Sequence, residues 1–508
     1  MESYISNQNV AVYNSALVAA NAVAAGTVLL SQPPLASVPL PAIRRKRCNY
    51  CLRKVQLQCC SRCRSAYFCS NECFRNAWLH FHRVLCEPQE SDIYKDVDAD
   101  RWLLERTALT LHSHDKLSKH HSHSPPHLPA AIQALYSLGL PECSTNSPNL
   151  ADVANALEPF GCHVQPEELA LLWRRIQVAT FDILDHEHQL DPVGVGIYPL
   201  TALFVRHSCR PNAAVVYKRG EQVLVAIEDI QPGEPITICY VDLVATKEQR
   251  QAALAERFGP NVVCNCSRCE GDFSCIDELL NRGIQTGLSQ EEAYKRLEIE
   301  CQKWNVLEMV KLYSSRQEPR SPTETLDTSN FTHYVSRIMS PDMYYPIMDP
   351  KRRPNKYQLR AKEDRHVYKE KTLPAIHALL EIKSVPPFTI ASIVAADRLL
   401  KHLISTNRWV EASRCALYMF VIYRIIYPQC HPVLSYHSLI LVRSCWNSLV
   451  QLELAGIGRK LERIYENGVY TWLEVAKDAV LTTFGKDCTL WREVIDLQWV
   501  IERDQKLK

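Results

Sequence analysis

Cysteine and histidine carry the densest chemistry in this chain. Between residues 48 and 86 stand Cys48-x2-Cys51, Cys60-x2-Cys63, Cys69-x3-Cys73 and His82-x3-Cys86. A two-residue gap lets two thiolates reach one tetrahedral ion, and residues at i and i+4 face together on a helix. Eight such ligands make two closed tetrahedral zinc sites with no open position, so the metal is structural and not catalytic. Cys59 competes with Cys60, and His80 with His82, but Cys60 and His82 give the regular gaps to Cys63 and Cys86. A redox or disulfide cluster is the competing reading, and the number of matched pairs favours zinc. Farther on, Cys264-x-Cys266-x2-Cys269 offers three more thiolates. They need a fourth ligand from elsewhere to close a tetrahedron; Cys209 is the natural one and Cys275 its competitor.

The rest of the chain must position these groups. Its 508 residues suggest roughly three or four domains and at least one large core. The finger-like block is too short for a useful core, so metal would supply its folding energy. With 58 basic and 56 acidic residues the net charge is only +2, unlike a dedicated nucleic-acid binder. Many of the 21 cysteines sit in metal-type spacings, which points to a reducing compartment. No segment reads as a membrane span. The apolar stretch Ser15 to Ile43 is broken by Asn21, Gly26, Ser31, Gln32, Pro33 and Pro34. No basic region precedes it, so a signal peptide is not expected.

Taken in order, Ala16–Ala20 and Thr27–Leu30 read as a hairpin turning through Ala24-Ala25-Gly26. Arg44-Arg45-Lys46-Arg47, ahead of Cys48, reads as a solvated flank. Residues 91–175 read as helical, with Trp102, Leu103, Leu104, Leu109 and Leu111 on one face. Within them His112, His114, His120, His121, His123 and His127 show no fixed ligand spacing and read as a mobile insert. Residues 176–246 alternate β-rich runs with turns: Ala213–Tyr217, Val223–Ile227 and Ile236–Tyr240 are predicted strands. From 276 to 508 the pattern is helical, over Ala391–Ile404, Trp409–Ile426, Leu434–Leu454 and Tyr470–Phe484. Glu318–Pro374, with Lys351-Arg352-Arg353, reads as a long exposed connection. The fold class is α+β.

Tyr67-Phe68 before Cys69 and Trp78 before His82 make the first block resemble a MYND zinc finger, with one extra residue between Trp78 and the histidine. That family interleaves its sites. The resemblance implies one ion on Cys48, Cys51, Cys69 and Cys73, and another on Cys60, Cys63, His82 and Cys86. Gly194-Val195-Gly196-Ile197-Tyr198-Pro199, then His207-Ser208-Cys209 with Pro211-Asn212, then Gly233-Glu234 to Tyr240, resemble a SET domain in order and spacing. Together the blocks are similar to the SMYD family, in which MYND is inserted into the SET fold. The implied layout is 1–43 first part of SET, 44–90 MYND, 91–175 helical insert, 176–246 SET core, 247–275 post-SET zinc element and 276–508 helical domain. In that family the tail is a helical-hairpin array resembling tetratricopeptide repeats.

The resemblance implies an S-adenosylmethionine-dependent protein-lysine N-methyltransferase. Its His-Ser-Cys stretch would thread against the segment ending at Tyr240, the implied catalytic residue. A lysine amine, with unperturbed pKa about 10.4, must be neutral to attack, and a dry aromatic channel would favour that form. Asn14, Ser15, Ala16, Arg206, His207 and Val262 take the implied cofactor positions, and Cys209 with Cys264, Cys266 and Cys269 the third zinc. Several of these depart from the family pattern. Asn14-Ser15-Ala16 replaces a Gly-x-Gly, Ala179-Thr180-Phe181 an Asn-Ser-Phe, Arg206 an asparagine, Val262 an aromatic and Pro235 an acid. Loss of several polar contacts at about 1 kcal/mol each would cost orders of magnitude in affinity. A second reading therefore stands beside the enzyme: a zinc-dependent interaction scaffold whose core no longer binds cofactor. The expected partners are lysine-bearing proteins and, through MYND, peptides, for a monomer in nucleus and cytoplasm without nucleic acid or membrane. The substrate lysine and the degree of methylation stay open.

Overall fold

The computed structural model describes residues 2–83, 86, 98–119, 127–140, 147–185, 190–281, 289–303, 376–377, 380, 389–456 and 462–507. The first strands are β1 (Val10–Tyr13) and β2 (Ala16–Ala19), an antiparallel hairpin closed by the Tyr13–Ala16 pair. Its two-residue loop holds Asn14 and Ser15 at φ of 48° and 56°. Positive φ at both loop positions matches the right-handed twist of the flanking strands.

The expected hairpin between Ala16–Ala20 and Thr27–Leu30 does not form. The turn at Gly26 is present, with φ of 86°, but it aims the chain elsewhere: Gly26 N donates to Ala226 O at 2.8 Å and Ala226 N to Thr27 O at 3.0 Å. Strand β3 (Val28–Gln32) therefore pairs with a strand some 190 positions later, a distance spanned by the Ser31–Glu221 side-chain bond. Strand β2 meets the same late region, because Ile236 N donates to Leu17 O and Ala19 N to Glu234 O.

β4 (Ser37–Pro39) precedes the cysteine block, whose own strands are β5 (Gln58–Cys59) and β6 (Tyr67–Phe68). After the helical insert come β7 (Thr180–Leu184), β8 (Pro192–Ile197), β9 (Arg206–His207), β10 (Ala213–Lys218), β11 (Glu221–Ala226) and β12 (Thr237–Ile238). The sheets run β4-β8-β7 and β10-β11-β3, both antiparallel, while β9 and β12 pair in parallel. Residues 44–175 are thus an excursion between β4 and its partner sheet. The Ile236–Tyr240 run joins the ladder only over Thr237–Ile238; beyond it the Cys239 thiol turns to Val241 O and the Tyr240 hydroxyl to Thr201 O and Val205 O. Gly194 lets β8 approach β4 closely: a Cβ there would lie 2.5 Å from Val38 O.

The basic run before Cys48 is not a solvated flank throughout. Arg44 is buried, and Arg47 forms an ion pair with Asp185 beyond the end of β7. Buried Arg106 of helix Ala99–Lys119 reaches Ser37 O and Asn49 O and lies 3.8 Å over the Phe81 ring. These contacts fix the cysteine block against the sheet. Of the insert histidines, His112 and His114 belong to that helix and His127 begins helix His127–Ser137. His120, His121 and His123 lie outside the described residues, as does Glu318–Pro374.

The insert core gathers Trp102, Leu103, Leu109, Leu135, Val153, Leu169, Trp173 and Ile176. In the tail, helices Ile390–Ser405, Trp409–Ile426, Pro432–Leu454, Glu462–Phe484 and Thr489–Leu507 pack each on the next. Trp409–Ile426 is buried on nearly every face, as an apolar central helix must be. Its core is continuous with Cys209, Val216, Val223 and Leu254. No helix among the described residues is long and apolar enough to cross a membrane.

Candidate active site and metal centres

Three groups of ligand atoms converge. Cys48, Cys51, Cys69 and Cys73 form one; Cys60, Cys63, His82 and Cys86 the second; Cys209, Cys264, Cys266 and Cys269 the third, each with all atoms within 4.8 Å of one another. Sulfur–sulfur separations are 3.5 Å for Cys51–Cys69 and Cys69–Cys73, and 3.6 Å for Cys60–Cys86 and Cys209–Cys269. A tetrahedron with zinc–sulfur bonds of about 2.3 Å has edges of about 3.8 Å. The donor sets and spacings therefore fit zinc. The described cysteines are all free thiols.

The extra residue before His82 is absorbed locally. Trp78–His82 forms a π-helical turn, which takes one more residue than an α turn and still delivers His82 Nε2 to 3.7 Å from Cys63 Sγ. Burial, with Arg106 nearby, pushes the His82 imidazole down to about 4, so it is neutral and able to ligate. Cys59 is exposed and lies outside the group that holds Cys60. Cys275 instead donates to Asp272 O at 3.4 Å, leaving Cys209 as the fourth member of the third group.

That third group has a surrounding shell that the spacing did not announce. Fully buried Arg250 donates from Nε to Cys209 Sγ at 3.2 Å and grips both oxygens of Asp277 at 2.8 and 2.7 Å. Arg268, also fully buried, takes the same carboxylate at 2.8 Å. A four-thiolate site carries excess negative charge, and a guanidinium held beside it offsets that charge. These residues lie 9 and 27 positions from Asp277, without a motif to flag them.

Cys209 ends the stretch that leads to Tyr240. β9 runs parallel to β12, Ser208 N donates to Ile238 O at 2.9 Å, and the Asn212 amide clamps the neighbouring segment through Thr237 N and Pro235 O. His207 Nδ1 accepts from the Tyr240 N–H at 3.2 Å. Burial pushes the His207 imidazole down to about 4. The Tyr240 hydroxyl lies 3.0 Å from Thr201 O, within helix Pro199–Phe204, and 2.9 Å from Val205 O, at its C-cap. Burial raises the phenol above its ordinary value, so it stays protonated. Three oxygens thus meet at one point.

Aromatic rings frame that point. Tyr240 stands 5.5 Å from Phe181 and 5.1 Å, edge to face, from Phe258. The Arg257 guanidinium lies among them, 4.7 Å from the Phe181 centroid, 4.9 Å from Tyr240 and 5.5 Å from Phe258. Neither Phe258 nor Arg257 stands out in the sequence; an aromatic following a basic residue at a helix end was the only signal available.

The expected cofactor positions are partly assembled. The exposed Asn14-Ser15 turn and Ala16 lead into β2, which bonds to residues 233–236, and Arg206 N in turn approaches Ile236 O at 3.4 Å. Asn14, Ser15, Ala16, Arg206 and His207 therefore lie on neighbouring segments. Arg206 is exposed. That ladder does not extend to Val262, which is 38% exposed in the turn after helix Lys247–Phe258. Of the two glycine positions, Asn14 takes a left-handed backbone that glycine would supply while Ala16 is extended in β2, and the oxygen cluster at Tyr240 suits a positively charged methyl donor. On those observations the residues present fit S-adenosylmethionine.

This geometry matches the comparisons with known proteins. The SET domain family model covers residues 15–241, so the chain carries a SET domain. Within that class the likeness is to SET and MYND proteins, at modest identity. The chain is 24% identical over 434 residues to histone-lysine N-methyltransferase ASHR1 of Arabidopsis thaliana, covering 81% of this chain and 80% of that one. It is 28% identical over 284 residues to histone-lysine N-methyltransferase SMYD3 of Mus musculus, covering 53% and 63%. With N-lysine methyltransferase SMYD2 of Bos taurus it shares 29% over 251 residues, covering 48% and 55%. The matches span less than two thirds of the two mammalian proteins.

Proposed function

We propose that this chain is an S-adenosylmethionine-dependent protein-lysine N-methyltransferase, held in shape by three zinc ions. The observation that carries the reading is the meeting of the Tyr240 hydroxyl with the Thr201 and Val205 carbonyls inside an aromatic frame. The cofactor, when bound, supplies a methyl group on a positively charged sulfur. Everything else is done by the chain. The three oxygens present partial negative charge that stabilises positive charge passing between them. Phe181, Tyr240 and Phe258 exclude water around an approaching lysine, which lowers the cost of its neutral form. His207 fixes Tyr240 through the Tyr240 main-chain N–H. Asn14, Ser15, Ala16, Arg206 and Val262 are proposed to contact the cofactor; the exposed Arg206 would pair with its carboxylate.

The twelve clustered cysteine and histidine ligands are assigned to structural zinc. The block over residues 44–90 would dock peptides, and the substrates would be protein lysines in nucleus and cytoplasm. The test is calorimetric titration with S-adenosylmethionine, followed by label transfer to lysine peptides. Tyr240→Phe should bind cofactor as the parent does and lose roughly 100-fold or more in rate. A second reading, a zinc-stabilised scaffold, is favoured by the exposed Val262, which offers no ring to an adenine. Absence of cofactor binding at millimolar concentration would establish the scaffold instead.

A further inference from the structure

The rings around Tyr240 form a finished cation site, and the chain itself fills it. Arg257 is the penultimate residue of helix Lys247–Phe258. Its guanidinium faces three rings, Phe181, Tyr240 and Phe258, at 4.7 to 5.5 Å. Its Nε and Nη2 donate to Val178 O at 3.1 and 3.0 Å, and Nη2 also to Thr180 O at 2.6 Å. No carboxylate makes an ion pair with it among the described residues; Asp182, exposed on β7, is felt only through its charge. Ring faces with carbonyl oxygens and no acid partner are the chemistry that recognises alkylammonium groups.

We propose that Arg257 occupies the alkylammonium site of this chain, in the place a substrate lysine side chain must take, and that lysine enters only when the last turn of helix Lys247–Phe258 withdraws. The lysine half of this inference rests on the methyltransferase reading; the occupied cation site does not. Arginine suits the occupant's role because its guanidinium stays protonated near neutral pH and presents no amine lone pair of the kind a neutral lysine offers. The helix also ends at a glycine, the residue with the widest choice of backbone angles. Gly259 caps it at φ of 105°, a conformation that a side chain resists, and a Cβ there would meet nothing within 4 Å. A rotation at Gly259 would carry Arg257 and Phe258 together, opening the site and removing one wall at once.

The experiment uses the full chain with Arg257→Ala and Arg257→Gln, the second keeping a donor for the Val178 and Thr180 carbonyls. n-Butylammonium and methylguanidinium are titrated, with thermal denaturation and proton NMR as readouts. Both variants should bind the two cations, gaining about 1–2 °C in Tm at saturation, while the parent binds neither. Equal binding by parent and variants, or binding by none, overturns the proposal. A readout on the parent covers poor folding of the variants: phenylglyoxal modification mapped by mass spectrometry should be at least ~10-fold slower at Arg257 than at exposed Arg206, and equal rates overturn it. Methyl transfer to lysine peptides separates the two claims. Variants that bind the cations but transfer no methyl leave the occupied site standing and remove the methyltransferase reading. A parent that methylates as fast as Arg257→Ala keeps the enzyme and removes the occupant.

Discussion

Arg250 touches Cys209 with Nε at 3.2 Å while both its terminal nitrogens hold Asp277. One side chain therefore joins the stretch before β10 to helix Cys275–Asn281. Removing it leaves Asp277 buried with Arg268 alone and the thiolates without their nearest positive charge. Arg250→Met should cost about 3 kcal/mol of stability and should lower zinc content at the third group. Native mass spectrometry and chemical denaturation measure the two effects; a variant with full zinc and unchanged stability would rule out the charge-offset role.

The choice of ligands makes a sharper prediction. Cys209→Ser should drop the metal count from three zinc ions to two, whereas Cys275→Ser should leave three. Cys60→Ser and Cys59→Ser should differ in the same way. Each count comes from metal analysis of purified protein, and loss of zinc from Cys275→Ser or Cys59→Ser would redraw the sites.

The hairpin loop can be improved. Ser15 holds φ of 56° without the freedom of glycine, and Asn-Gly is the favoured pair for this loop. Ser15→Gly should stabilise the chain by roughly 0.5–1 kcal/mol, seen as a higher Tm. A lower Tm would mean that the serine side chain contributes something the backbone does not explain.

His437 ties stability to pH. It is buried in helix Pro432–Leu454, its Nε2 2.8 Å from Ala416 O, and burial pushes its pKa down to about 4 against partial opposition from that carbonyl and Asp397. In the unfolded chain the value returns to about 6.5. The unfolded state then binds a proton first as pH falls. The contribution is fully present above about pH 6.5 and is lost as pH falls toward 4. His437→Gln should flatten the fall in Tm across that window relative to the parent. Buried His431, pushed down to about 3, adds a slope of the same sign that remains. Identical pH profiles would show that His437 does not titrate on unfolding.

How much of this could be read from the residues depends on range. The zinc pairs were legible because a metal demands ligands at short, fixed gaps, and Cys60 against Cys59 could be settled by spacing alone. Tail helices such as Trp409–Ile426 were legible because helical hydrogen bonds are local. The partner of β3 was not: a strand records its faces in sequence but not its neighbour, so Thr27–Leu30 was matched to the nearest run. The π turn at Trp78–His82 was visible only as one surplus residue. Arg257 was invisible because its site is assembled from helix Lys247–Phe258, the end of helix Pro166–Ala179 with β7, and the segment after β12, and no one of these is unusual by itself.

The pairing of β3 with β11 has a consequence for how the chain is made. Ser31 and Glu221 meet across 190 positions, so the amino-terminal strands emerge from a ribosome long before their partners exist. At 5–20 residues per second the wait is roughly 10–40 s. During it the apolar run Val28-Leu29-Leu30 has no sheet to join, while the cysteine block and insert helices can complete themselves on local contacts and metal. Folding of the first half thus begins in the middle, and the β3–β11 sheet closes only after the cysteine block and insert, ahead of the tail helices that pack on it.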